Sequence, residues 1–144
     1  MNIKVKYFKG VAPLTYIGGT EKSNWVDLRC ADHVVMEKGD FGLIPLGVAM
    51  QLPEGYEAIV APRSSTFKKY GIIMTNSIGI IDESYCGEND QWMFPAYATR
   101  DVFIPKNTRI AQFRIIEHQP ELNFIRTSTL GNEDRGGIGS TGTE

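Results

Sequence analysis

The feature that most constrains this chain is a hydrophobic period of two, interrupted every few residues. "NIKVKYF" alternates, "FGLIPLGVAMQL" and "YEAIVAP" are short apolar runs, and "QWMFPAYA", "RIAQFRII" and "ELNFI" follow. Alternation places successive side chains on opposite faces of a strand. Gly, Pro, Asn and Asp punctuate the runs at "KGD", "LPEG", "GEND" and "PKN", so the strands are short and turns frequent. That pattern predicts an all-β sandwich or barrel of jelly-roll type. "SSTFKKYG" breaks it, with Ser64 or Ser65 as N-cap, Phe67 and Tyr70 three apart, and Gly71 as a stop. It predicts one short helix directly after "APR".

A chain of 144 residues fits one domain and can bury a core without staples. Hydrophobic content of 42% and charged content of 22% describe a globular chain rather than a disordered one. A net charge of -2 argues against a broad basic surface and so against duplex nucleic acid. It leaves room for a local cationic pocket. "MNIKVKYFKG" lacks the apolar core of a signal peptide, and no run approaches the roughly 18 apolar residues of a membrane span. Cys30 and Cys86 read as free thiols in a reducing cytosol, and they stand apart from His33 and His118, without zinc-ligand spacing. The expected location is cytoplasmic, with no membrane partner.

Three stretches carry possible chemistry. "TNSIGIIDESYCGEND" delivers Asp82 at the end of an apolar strand, just before a tight turn, which is how a general base is often presented. A turn acid that satisfies backbone amides is the plainer alternative. Tyr85 is an aromatic closing a hairpin, or a flat ring against a ligand. "PRSS" sets Arg63 and two hydroxyls at a helix start, good machinery for phosphate or merely a helix cap. "EDRGGIGSTGTE" is a glycine-rich arm whose backbone can approach an anion closely, with Arg135, Ser140 and Thr141 as further donors. Its alternative is a solvated tail. "NWVDLRCAD" and "NTRIAQFRI" add Asp27 and Gln112 inside apolar frames, where a satisfied polar group is the ordinary reading.

In order and across nearly the whole chain, these stretches resemble the five motifs of the trimeric deoxyuridine triphosphate nucleotidohydrolases, the dUTPases: "NWVDL", "PRSS", "GIIDESYCG", "NTRIAQF" and "RGGIGSTG". The resemblance implies a jelly-roll homotrimer with active sites at subunit interfaces, dUTP as substrate and Mg²⁺ as cofactor. It divides the chain into a β domain, residues 1–130, and an arm, residues 131–144, that closes over the site.

The resemblance also implies roles. Asp82 orients and deprotonates the water that attacks the α-phosphorus, releasing pyrophosphate and leaving dUMP. Tyr85 lies beneath deoxyribose and excludes a 2′-hydroxyl. Asn76 with Gly79, Ile80, Ile81 and Asp90 falls where the family's hairpin reads uracil. Arg63, Ser64, Ser65 and Gln112 match phosphate contacts, and Arg135, Ile138, Gly139, Ser140 and Thr141 match the arm. Asp27 reaches Mg²⁺ through water.

Three departures qualify the match. Motif one lacks the usual Ala-Gly before the variable residue, and motif four lacks its Gly-Asp/Glu opening. The arm is two residues shorter than usual, and Ile138 stands where the family has a phenylalanine that stacks on uracil. The run "QWMFPAY" offers a replacement: Trp92, Met93 or Phe94 reaches the base, Trp92 first by ring area, the plainer alternative being that all three are core. The alternatives in function are a relative of dCTP deaminase, or a nucleotide-binding regulatory module with a protein partner.

Overall fold

The computed structural model describes residues 1–15 and 23–139. Its strands are β1 (Lys4–Tyr7), β2 (Val26–Arg29), β3 (Val34–Met36), β4 (Phe41–Pro45), β5 (Val48–Gln51) and β6 (Tyr56–Pro62), then β7 (Ile72–Met74), β8 (Gly79–Ile81), β9 (Met93–Ala98), β10 (Val102–Ile104) and β11 (Arg109–Glu117). The helix among the described residues is α1, Thr66–Tyr70. Strand pairing is antiparallel throughout, in the orders β1-β5, β10-β3, β2-β11-β6-β8 and β4-β9-β7. The fold is the expected all-β jelly roll with one short helix.

Alternation builds the core. In β9, Phe94, Ala96 and Ala98 are buried while Met93 and Tyr97 face outward. β6 turns Ala58 and Val60 inward, and β11 contributes Ile110, Ala111 and Phe113. Leu28, Ile104, Val48 and Trp92 fill the space between the layers. Burying each large side chain contributes about 1.5–3 kcal/mol. On the outer face, the register aligns Phe41, Tyr97 and Ile73 in one exposed row, and Val35 pairs with the exposed Phe103.

The long apolar run "FGLIPLGVAMQL" divides into β4 and β5 at Leu46 and Gly47. Gly47 is left-handed, φ 73°, and a Cβ there would lie 2.8 Å from Val11 Cγ1. Only glycine fits.

Ser65, one of the two serines expected as N-cap, holds that position in α1 in a helical conformation, though its side chain makes no capping bond; Thr66 accepts from the Arg63 N–H. Two sequence expectations are corrected. "ELNFI" is not a strand within one chain. Leu122, Phe124 and Ile125 lie exposed, and the segment pairs with no strand among the described residues. Trp92 and Phe94 cannot cover a nucleobase, since both are fully buried, Trp92 edge-on to Phe113 with ring centroids 5.1 Å apart. The strand's alternation that buries Phe94 leaves Met93 outside. The Trp92 indole Nε1 is buried without an acceptor among the described residues.

Replacing this ring empties the centre of the core. Trp92→Ala is expected to cost about 3–5 kcal/mol in chemical denaturation, the range of aromatic truncation in a packed core.

Candidate active site

Three neighbouring strands assemble the first part of the site. β2, β11 and β6 lie side by side, with Gln112 opposite Asp27 on one edge and Ala61 on the other. Residues far apart in sequence thereby meet. Asp27 Oδ1 lies 3.1 Å from Arg63 Nε, and Oδ2 lies 3.2 Å from Arg109 Nη1. Gln112 Nε2 donates to the Pro62 carbonyl at 3.1 Å, at the end of β6 where Arg63, Ser64 and Ser65 follow.

A buried hydroxyl pins this corner. Thr66 Oγ1 donates to the Ile110 carbonyl at 2.7 Å and accepts from Arg63 N–H at 3.1 Å. It is the buried polar residue of the described chain. The turn before α1 is thus locked onto β11, which fixes the backbone that carries Arg63 and Ser64.

The second part lies elsewhere. Asp82 is exposed directly after β8, whose ladder on β6 runs Gly79–Val60, Ile80–Ile59 and Ile81–Ala58. Asn76 sits exposed in the turn before β8, next to Ser77 in the left-handed region at φ 63°. Ile80 is exposed, while Gly79 and Ile81 are half-buried. Tyr85, 39% exposed, donates its hydroxyl proton to the Gln91 carbonyl at 3.2 Å. Gln91 Oε1 in turn accepts from Gly47 N–H at 3.0 Å, which ties the hairpin loop to the core. Asp90 Oδ2 accepts from Gly87 N–H at 2.8 Å and closes the loop's tip.

The two parts are at opposite ends of β6. Continuing the register places Asp82 beside Glu57, and Glu57 to Arg63 is about 20 Å at the rise of a strand. One copy therefore brings Asp27, Arg63 and Gln112 together, and Asp82 with Tyr85, but not the two groups to each other. Arg135, Ile138 and Gly139 are exposed, on a stretch from Glu117 to Gly139 that is exposed throughout. Ser140 and Thr141 lie outside the described residues.

Two departures from the motif patterns have local explanations. Asn107 takes the place of the usual glycine of motif four and is left-handed, φ 70°, a conformation asparagine tolerates better than most residues. Trp25 replaces a small residue of motif one, and its ring packs under the Arg114 guanidinium at 5.6 Å. Neither disturbs Asp27.

No group of three or more His, Cys, Asp and Glu side chains among the described residues forms a metal cage. A magnesium ion that keeps its waters does not need one, since one carboxylate and substrate phosphates suffice. Each Asp27 oxygen holds one guanidinium and keeps a lone pair for a water. The donor set fits a hydrated ion beside a triphosphate, and Asp27 is the residue that would hold it. Burial pushes the Cys30 thiol up, which makes it an inert core residue. No described helix is long and apolar enough to cross a membrane.

Comparison with known proteins finds relatives of this chain along its whole length. The dUTPase family model matches residues 18–142. The SPbeta prophage-derived deoxyuridine 5'-triphosphate nucleotidohydrolase YosS of Bacillus subtilis (strain 168) is 56% identical over 144 residues, covering 100% of each chain. A deoxyuridine 5'-triphosphate nucleotidohydrolase of Rickettsia prowazekii is 39% identical over 128 residues, 85% of this chain and 84% of that one. Among solved structures, a Staphylococcus bacteriophage 80alpha dUTPase mutant with dUpNHpp superposes with a TM-score of 0.75 at 21% identity, over 99% of both chains. The dUTPase of Streptococcus mutans gives 0.71 at 20% identity, over 83% of this chain and 98% of that one. The chain belongs to the dUTPase family.

Sequence reasoning passed over Thr66 and Arg109. Thr66 was legible only as the residue after "PRSS"; its burial depends on β11 arriving from far along the chain. Arg109 lay within a quoted motif, but its pairing with Asp27 needs the β2–β11 register. Thr66→Val, which keeps the shape and removes both hydrogen bonds, is expected to cost about 1–3 kcal/mol in urea denaturation.

Proposed function

We propose that the chain hydrolyses dUTP to dUMP and pyrophosphate, with Asp82 taking the proton from a water that attacks the α-phosphorus. The observation that carries this reading is Asp82 itself, an exposed carboxylate at the end of an edge strand, inside "GIIDESYCG". A single copy holds the phosphate-binding residues and this carboxylate too far apart to share one α-phosphate. The working site is therefore assembled from copies of the chain, in a homotrimer. The exposed row of Phe41, Tyr97 and Ile73 and the exposed residues of the C-terminal stretch support assembly.

In the assembled site, Asn76 and the backbone of Gly79, Ile80, Ile81 and Asp90 read the uracil edges. Backbone donors and acceptors are fixed and cannot rotate to accept cytosine. Tyr85 lies against deoxyribose, its hydroxyl already committed to Gln91 and its ring face left for the sugar. Arg63, Ser64, Ser65 and Gln112 bind the phosphates, and Arg135, Gly139, Ser140 and Thr141 close the arm over them. Bound Mg²⁺ supplies charge neutralisation on the triphosphate, with Asp27 holding its water shell; a dUTPase of phage phi11 has been solved with a structural Mg(II) ion. Alignment and electrostatic stabilisation then carry most of the rate. Free thiols and the lack of a described membrane-spanning helix fit a cytoplasmic setting. A regulatory protein partner is a separate question, answered by pull-down with and without a non-hydrolysable dUTP analogue.

Pyrophosphate release against dUTP, dCTP, UTP and dTTP tests the reading. Release from dUTP alone is the expected result, and ammonia release from dCTP would instead place the chain with the deaminases. Asp82→Asn is expected to keep the fold and dUTP binding while losing about 10²–10⁴-fold in turnover, as when a general base is removed. Turnover close to the parent's would overturn the assignment.

With Trp92 and Phe94 buried, Met93 is the residue of that run left to cover the base, at 38% exposure, with Ile138 on the arm as its apolar counterpart. A thioether on an aromatic face is worth about 0.3–1.5 kcal/mol, so Met93→Ala is expected to weaken binding of a non-hydrolysable dUTP analogue about two- to tenfold. Calorimetry provides the measurement.

A further inference from the structure

Beside Asp82 the structure holds a second polar cluster, which none of the nucleotide contacts above uses. β8 is an edge strand bonded to β6 alone, and its ladder ends at the Ile81–Ala58 pair. Asp82 and the turn through Glu83 and Ser84 have no strand partner to hold them. Glu83 provides the attachment. The Gly55 N–H donates to Glu83 Oε1 at 3.1 Å, and the Gly55 carbonyl accepts from the His118 N–H at 3.0 Å. The His118 imidazole completes the ring, its Nε2 lying 3.9 Å from Glu83 Oε2. Gly55 is left-handed, φ 87°, where most side chains are strained.

The proton on His118 decides how this ring behaves. Nδ1 lies 2.8 Å from the Gln119 carbonyl, which can only accept, so Nδ1 carries a proton in either charge state. In the neutral imidazole, Nε2 is then a bare lone pair facing a carboxylate. In the imidazolium, the same atom carries a charged N–H within ion-pair distance of that carboxylate.

We propose that Glu83 and His118 form a clasp that sets the position of Asp82, with His118 as a positioning residue that grips only while its ring is charged. The proposal rests on the reading of Asp82 as the base. His118 opens onto a cavity of about 530 Å³ lined also by Glu57, Asp82, Glu83, Ser84 and Gln119. The charged groups facing the imidazole are thus Glu57 from β6 and Asp82 and Glu83 from the turn after β8. All are carboxylates. The His118 pKa is raised above its ordinary value, first by the Gln119 carbonyl, then by Glu83 and Glu57. A raised folded-state pKa means the clasp is fully made below the ordinary imidazole value and is lost as pH rises through the raised one.

Opening the clasp removes one of the two holds on Glu83, the Gly55 N–H remaining, and loosens the Asp82–Tyr85 turn while the phosphate-binding residues at the other end of β6 stay untouched. Turnover should therefore respond, and phosphate binding should not. The test is kcat and KM for dUTP across about pH 5–9, which spans the window in which histidine titrates, for the parent, His118→Gln and Glu83→Gln, with the His118 ring followed by NMR. In the parent, kcat is expected to fall about two- to fivefold through the His118 titration, the size an exposed ion pair supplies, with kcat moving more than KM. Both variants are expected to lose that step, and Glu83→Gln to lower the His118 midpoint. A flat parent profile, a step that survives in His118→Gln, or a His118 midpoint unmoved by Glu83→Gln would each overturn the clasp. Failure of the base assignment has a different signature: Asp82→Asn would keep its turnover, while the midpoint shift in Glu83→Gln would remain.

Discussion

The ladder between β6 and β11, from Ala111–Pro62 to Glu117–Tyr56, is the constraint on which the rest depends. Both groups of functional side chains are anchored to its ends. At one end β11 presents the Ile110 carbonyl to Thr66, which fixes the turn carrying Arg63 and Ser64, while Gln112 reaches Pro62. At the other end β11 runs out at His118, whose backbone meets Gly55 just before β6 begins. A slip of one residue in this pairing would turn every inward side chain of β11 outward. It would also dismantle both ends together. Ile110, Ala111 and Phe113, buried on one strand, therefore protect the register of the chemistry as much as the stability of the fold.

Much of this was legible in the sequence. Alternation marked "NIKVKYF", "YEAIVAP" and "RIAQFRII" as strands, and the glycine after "TFKKY" ended the helix where it stops. Asp82 was legible as an acid at the end of a strand because the apolar stretch before it is short and the turn after it dense in polar residues. Pairing partners were not. "ELNFI" alternates like a strand but pairs with no strand among the described residues. Alternation shows that Trp92 and Phe94 share a face without saying which face is inside, so the sequence leaves a ligand-facing ring and a core ring both open for Trp92. The contacts of Asp27 with Arg63 and Arg109, and of Glu83 with Gly55 and His118, join residues that only long-range register brings together.

The departures from the family's motifs show how a local requirement can be met by a different residue. A left-handed backbone is needed where motif four opens, and Asn107 supplies it without glycine, while its Oδ1 also accepts from Ala12 N–H at 3.0 Å. Motif one gives up a small residue for Trp25, whose ring is accommodated on the solvent side beneath Arg114. Both changes leave the backbone path of the ion-paired strands intact.

On the proposed assembly, the separation of the two groups along β6 makes the chemistry a property of the population of chains rather than of the chain. In the reading proposed here, a newly made copy is folded, holds its core and its carboxylate, and is inert until it meets others. Dilution below the dissociation constant of the assembly would silence it without melting a strand. A subunit defective at one end of β6 and another defective at the other end could, mixed together, still complete one intact site between them. Loss of a residue is then inherited by an interface, and a single altered copy is felt by neighbours whose own sequence is unchanged.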